Sequence, residues 1–283
     1  MMLVRHPYGP RWRDLCRPLA PWLSLWRQRR LIWHLALRDV RARYHVSLLG
    51  PLWSLLTPAL AILVYTFVFN TLLRPRWGSE LAASGFDFAL LLMTGLFLFN
   101  VFSEIVARTP HLIYTQPHFV KKVAFPLEVF PAAALLAALV HLCFGLAVVL
   151  LLWCIRHGGV PADLWLLPAI VAPYTLMLLG LGWLLAAGGT FLRDLAPTLA
   201  AAAQLLMFLT PVFYPLAAVP PAYRPWLLLN PLAVVVEGGR AALAPSAVLP
   251  SYALGLLCLA SLASLYAGYV GFMALKPKLA DVV

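Results

Sequence analysis

Few side chains in this 283-residue chain can do chemistry, and their spacing narrows what that chemistry is. Glu104 and Arg108 stand four positions apart inside an apolar stretch, a spacing that makes an ion pair on a helix. His141 lies within another apolar stretch. Its two uses there are an interhelical hydrogen bond or a proton relay. Cys16, Cys143, Cys154 and Cys258 lie far apart, with no CxxC pair and no histidine at ligand spacing, so they are expected to be small apolar packing residues and no metal site is expected. No GxxxxGK[ST] phosphate loop, HExxH pair or GxSxG elbow occurs, and the chain is not expected to hydrolyse ATP alone. A membrane-embedded enzyme acting on lipid-linked glycans would need Asp, Glu or His clustered at one membrane face, and the sequence has no such cluster. A secondary transporter would carry more intramembrane charge than this.

The elements that position these residues are set by composition. Hydrophobic residues make up 63% of the chain, charged ones only 11%, and mean hydropathy is +0.88, whereas soluble domains are about 25% charged. The chain therefore reads as an all-α integral membrane protein. Apolar runs between charged and Pro/Gly punctuation predict six spans near 52–73, 88–106, 130–154, 165–187, 198–214 and 252–275. The set Arg156, His157, Gly158, Gly159, Pro161 and Asp163 separates the third span from the fourth. With both termini on the cytoplasmic side, 16 of the 21 Lys and Arg fall on inner segments, as the positive-inside bias requires. The net charge of +11 thus belongs to membrane flanks, and nucleic acid is not an expected partner. No apolar core with a small-residue cleavage site follows the basic N-terminus directly, so no removed signal peptide is expected.

Residues 26–47 contain no Pro or Gly and predict a helix lying in the cytoplasmic membrane interface. Trp33, Leu37, Val40 and Tyr44 make an apolar stripe, and His34, Arg38, Arg41 and His45 a basic one beside it. The basic stripe suits anionic headgroups or a cytoplasmic partner. Asp39, a carboxylate that lipid does not require, favours the partner. Gly50 and Pro51 then redirect the chain into the first span. Residues 215–250 carry seven prolines around two short apolar stretches, with Asn230-Pro231 reading as an N-cap and first helical position. They predict a re-entrant helical pair between the fifth and sixth spans, rimming a pathway.

Tyr65, Phe67 and Phe69 in span one, Phe208, Phe213 and Tyr214 in span five, and Trp226 nearby read either as interfacial aromatic belts or as the wall of a pathway for a large amphipathic substrate such as a sugar chain. The alternation in span one spreads its three aromatics over different faces, so they cannot all line one pore. Ala263, Ala267 and Gly271 predict a close helix contact in span six.

Several segments taken in order resemble the membrane subunit of an ABC-2 type exporter, specifically the polysaccharide-export permeases for O-antigen, capsule or teichoic acid, over nearly the whole chain. They are Leu37-Arg38-Asp39-Val40-Arg41-Ala42-Arg43-Tyr44 with Ser47 to Trp53, Lys121-Lys122-Val123-Ala124-Phe125-Pro126, Phe191 to Leu195, Thr210 to Pro215, and Leu229-Asn230-Pro231-Leu232. The resemblance implies a homodimer of six-span subunits in a bacterial inner membrane, bound to two copies of a cytoplasmic ABC ATPase. ATP and Mg would sit on that partner, with no cofactor bound by this chain. It divides the chain into a cytoplasmic segment, 1–50, and a transmembrane domain, 51–283.

The resemblance also implies site residues. Arg38, Asp39, Arg41 and Tyr44, then Lys121, Lys122 and Phe125, then Arg193 and Asp194 would couple to the ATPase. Closure of the ATPase would push the interface helix and the loop near 121–127, moving spans one and five and opening a channel lined by Tyr65, Phe69, Phe208, Phe213 and Tyr214 at the dimer interface. Trp226, Asn230, Pro231, Glu237 and Arg240 would form an outer gate, with Glu237 and Arg240 either its latch or a plain surface ion pair. The cargo would be a lipid-linked polysaccharide among membrane lipids. An ABC-2 exporter of drugs or lipids, and a passive anchor that recruits the ATPase, are the competing readings.

Overall fold

The structure, a computed structural model, describes residues 20–44, 52–68, 85–116, 125–192, 194–244 and 249–282. Among the described residues all regular structure is helical: α1 (Ala20–Arg27), α2 (Arg29–Tyr44), α3 (Trp53–Phe67), α4 (Gly85–Arg108), α5 (Val129–His157), α6 (Leu166–Phe191), α7 (Leu195–Leu209), α8 (Arg224–Leu228), α9 (Pro231–Ala241) and α10 (Ser251–Val282), with short 3-10 turns at Thr109–His111 and Leu216–Ala218.

Among the described residues four stretches are long and apolar enough to cross a membrane: Gly85–His111, Val129–His157, Leu166–Phe191 and Tyr252–Leu279. They coincide with the expected second, third, fourth and sixth spans. The expected first runs on past residue 68, outside the described residues, and its described part is α3. The expected fifth differs: α7 has 15 residues, about 22 Å of helix against a hydrocarbon core of ~30 Å. The stop of α7 has a local cause. Thr210 precedes Pro211, whose ring disfavours helical backbone in the residue before it, and Thr210 is extended at φ −92° and ψ 138°. At the end of α5, Gly158 takes the left-handed conformation (φ 71°) and its N–H returns to the Cys154 carbonyl at 2.9 Å, a glycine C-cap.

Helix α4 runs through the core, packed on α5, α9 and α7, with Ala89, Leu90 and Leu98 fully buried. The tightest crossing joins α6 to α10. A Cβ on Gly180 would come within 2.1 Å of the Ser264 carbonyl oxygen, and one on Gly268 within 2.1 Å of the Gly180 carbonyl oxygen. Small residues let the two backbones meet, and Ser264 Oγ adds a hydrogen bond to the Met177 carbonyl at 2.8 Å. The expected seam was one position off: Ala263 and Ala267 are exposed, and Ser264 and Gly268 make the contact, with Gly271 against Leu184. Trp183 on α6 is fully buried against Tyr269 of α10, and Tyr174 hydroxyl donates to the Leu98 carbonyl at 2.8 Å. Cys143 and Cys258 sit on the exposed surface rather than inside; in an apolar solvent a small apolar side chain serves there equally well.

Candidate functional site

Two clusters of polar side chains stand out, one at each end of the bundle. The first ties α2 to α4. Arg108 Nη2 donates to Asp39 Oδ2 at 2.8 Å and its Nη1 to Glu104 Oε1 at 2.8 Å, while Arg43 also pairs with Glu104 Oε1. Two carboxylates and two guanidinium groups thus form one neutral lattice, and His141 of α5 lies within electrostatic reach of Arg43, Glu104 and Arg108. Asp39 is therefore engaged by its own chain, a use that its position in the basic run does not suggest.

The face of α2 that packs inward follows the same logic. Ile32, Leu35 and Ala36 are buried, and Asp39 and Arg43 continue that face by helical steps of three and four into the lattice. The expected apolar stripe is offset from this face, for Trp33 is exposed and Leu37 and Val40 are half-buried. Two apolar rows compete on this helix, and the one whose polar end meets Glu104 and Arg108 is the one that packs. The opposite face is basic. His34, Arg38 and Arg41, with Leu37 and Ala42, line an open cleft of about 540 Å³.

The second cluster closes the broken end of α7. Arg240 Nη1 donates to the Pro211 carbonyl at 2.6 Å, the Tyr214 carbonyl at 3.0 Å and Glu237 Oε1 at 2.8 Å; its Nη2 reaches the Val212 carbonyl and its Nε the Leu91 carbonyl of α4 at 3.5 Å. Glu237 Oε1 also accepts the Leu216 N–H at 3.1 Å. Glu237 and Arg240 are only 5% and 3% exposed, which removes the surface-pair reading. In the irregular turn after α7 the carbonyls of Pro211, Val212 and Tyr214 have no helical donors, and one planar guanidinium with five N–H groups supplies them. Asn230 caps α9, its Oδ1 accepting the Leu232 N–H at 3.0 Å, and its Nδ2 donates to Thr210 Oγ1 at 3.1 Å. Close packing holds the arrangement: a Cβ on Gly239 would meet Leu98 at 2.3 Å.

The aromatic residues divide. Phe208 and Phe213 face each other with ring centroids 5.7 Å apart, and the Tyr214 hydroxyl donates to the Phe208 carbonyl at 3.2 Å, so three expected pathway residues gather at the end of α7. Phe208 is 68% exposed and Trp226 73%, while Tyr65 is half-buried. Phe125 stacks on Phe130 at 5.4 Å, and Asp194 is exposed at the start of α7, where its carbonyl accepts the Thr198 hydroxyl at 2.7 Å. Phe69, Lys121, Lys122, Arg193 and the side chain of Tyr44 lie outside the described residues. Among the described residues no three His, Cys, Asp or Glu side chains converge as a metal ion would need.

All of α2 but its first residue, the polar turn after α7 and the capped short helix α9 fall inside the region, residues 30–244, that matches the family described as ABC-2 type transporter. The chain belongs to the ABC-2 transporter family. Its relatives include the O-antigen export system permease protein RfbA of Myxococcus xanthus, 29% identical over 77% of this chain and 82% of that one. The polysialic acid transport protein KpsM of Escherichia coli is 26% identical over 83% and 89%, and RfbA of Klebsiella pneumoniae 24% over 72% and 76%. Membership of this transporter family and the apolar helices make the chain a multi-pass membrane transport protein.

Other polar contacts in this ABC-2 chain were not legible as sites. Asp87 in the first turn of α4, where a carboxylate suits the helix dipole, is buried near Arg156 Nε at 3.8 Å and His157 Nε2 at 3.6 Å. His157 in turn stacks on Trp153 at 4.1 Å. In the sequence Arg156 and His157 mark only a turn. Glu128 and Lys276, 148 residues apart, meet at 2.7 Å; their one sequence signal is that Lys276 follows an apolar span and Glu128 precedes another.

Proposed function

We propose that this chain is the membrane-spanning permease subunit of an ATP-driven exporter that moves a lipid-linked, O-antigen-like polysaccharide from the cytoplasm to the periplasm across a bacterial inner membrane. The observation that carries this reading is that relatives aligned over most of the chain are named for O-antigen export and for polysialic acid transport. Two copies of the chain would enclose the pathway, and a separate cytoplasmic ABC ATPase, itself in two copies and holding ATP and Mg, would drive it.

Helices α3 and α7 serve as the first and fifth of six spans. Both present large apolar side chains on their outer surfaces, Leu63 and Phe67 on one and Leu205, Phe208 and Leu209 on the other. Those faces suit a wall shared between two copies. Helix α2 lies in the cytoplasmic interface, where Arg38 and Arg41 on its basic side meet the ATPase together with the segments around Lys121, Lys122, Phe125, Arg193 and Asp194. The ion-pair lattice on its other side hands movement to α4, because Arg108 binds Asp39 of α2 and Glu104 of α4 at once. Helices α8 and α9 dip into the outer leaflet as a re-entrant pair. Broken backbone at that depth must be satisfied by protein, and Arg240 does this for Pro211, Val212 and Tyr214. Trp226, Asn230, Pro231, Glu237 and Arg240 form the outer gate.

Deleting the gene in its own bacterium tests the reading. Intact cells and cytoplasmic extracts are probed with the same glycan stain. Loss from the surface with accumulation inside is expected; an unchanged distribution overturns the polysaccharide reading in favour of a drug or lipid cargo.

A further inference from the structure

Beyond the two clusters, one buried acid has a set of partners that neither accounts for. Glu128 lies immediately before α5, three residues after Phe125, and is 7% exposed. Its carboxylate Oε2 accepts Lys276 Nζ of α10 at 2.7 Å and its Oε1 accepts the Ser24 hydroxyl of α1 at 3.3 Å. Its backbone carbonyl accepts the indole N–H of Trp183 on α6 at 3.0 Å. Four elements therefore meet on one residue, with partners 55, 104 and 148 positions away in the chain.

A carboxylate removed from water is stable only while its oxygens are engaged, so α10 and α1 must keep station with Glu128 or the contact is lost as a whole. Its backbone is already helical at φ −60° and ψ −14°. Displacement of the segment ending at Leu127 is thus displacement of the first turn of α5. The three bonds differ in strength. The short, charge-assisted bond to Lys276 is the strong one, and α10 is locked to α6 by the Gly180–Gly268 crossing, while Trp183 holds α6 to the same carbonyl. Helices α5, α6 and α10 are clamped together at their cytoplasmic ends. The longer bond from Ser24 makes α1, and through it α2, the lighter attachment.

We propose that Glu128 is a positioning residue of the transport cycle: it transmits displacement of the first inner loop to α10, through Lys276, and to α1, through Ser24. This rests on the reading of the chain as an ATPase-driven polysaccharide permease. It assigns α10 an active part in coupling, beside the route through Arg108 and α4.

The test uses the full chain with its ATPase. Three variants are made: Glu128→Gln, which keeps size and the Ser24 contact; Lys276→Met, which leaves the Glu128 carboxylate to the Ser24 hydroxyl alone; and the swap E128K with K276E. Complex yield and ATP hydrolysis are measured on the purified complex, and surface polysaccharide is measured on intact cells by hydrazide staining. Glu128→Gln, which leaves no buried carboxylate, is expected to keep wild-type yield and ATP hydrolysis while surface polysaccharide falls about tenfold, within the range typical of coupling between sites, and Lys276→Met is expected to lose as much export per assembled complex. The swap is expected to restore it to within roughly twofold, as a coupling carried by the pair requires. Unchanged export in Lys276→Met, or loss of export only in step with loss of assembled complex, overturns the proposal. So does a swap that assembles but does not rescue. If wild-type cells depend on neither the chain nor its ATPase for surface polysaccharide, the exporter reading itself falls, which the wild-type and deletion controls reveal separately.

Discussion

The lattice at the proposed cytoplasmic end and the elbow at the proposed outer end both rest on arginine, but they use it differently. Arg108 and Arg43 pair with carboxylates on side chains that are about one-fifth to one-third exposed. Arg240 is sealed inside, and most of its acceptors are backbone carbonyls freed where α7 breaks. Side-chain pairs near water can part and re-form at modest cost, whereas a buried guanidinium that satisfies broken backbone has no cheap alternative partner. The inner cluster therefore suits contacts that exchange, and the outer one suits the fixed frame of the proposed gate.

The largest expected effect tests that frame. Arg240→Ala strands Glu237 and the carbonyls of Pro211, Val212 and Tyr214, and should cost about 3–5 kcal/mol, read as collapse of folded yield and of the thermal midpoint in detergent. A wild-type midpoint would erase the contrast between the two ends. Next, Asn230→Ala removes the cap on α9 and its bond to Thr210; a loss of about 1 kcal/mol is expected, measured by the same thermal shift. Asp39→Asn at the inner lattice should cost less than about 1 kcal/mol and lose its effect as salt is raised. A loss as large and salt-insensitive as that of Arg240→Ala would mean that the inner lattice is also a fixed frame. Smallest for stability is reversal of Arg38 and Arg41 to Glu on the open cleft: no thermal shift is expected, but capture of the ATPase should fall. Normal yield of the complex removes these two residues from docking. Replacing Phe208 and Tyr214 by Ala should likewise leave folding intact and alter export; unchanged surface polysaccharide removes them from the pathway.

Contacts between near neighbours were legible in the chain. Glu104 and Arg108 pair as their four-residue spacing requires, and Asn230-Pro231 caps a helix as its chemistry dictates. The seam of α10 was legible only as a kind: small residues repeat along that helix, but which row is used depends on where Gly180 of α6 presents its backbone. The inward face of α2 was ambiguous for the same reason. Residues 32, 35 and 36 and residues 33, 37 and 40 are both apolar rows, and Arg108, 69 positions from Asp39, decides between them.

By itself the sequence determined the solvent and the class of secondary structure, because long apolar runs in a chain that is 63% hydrophobic can satisfy their backbone in a membrane only by helix formation. It also determined where helices stop, through Gly158 and Pro211, since caps and proline constraints act within a few residues. Tertiary structure alone decided that Glu237 and Arg240 are buried rather than on the surface, that Asp39 is spent on its own chain, and that Glu128 binds Lys276 across 148 residues. The physical reason is shared by all three. A charge in a membrane protein is placed by whichever distant group can compensate it, and local periodicity carries no information about that group.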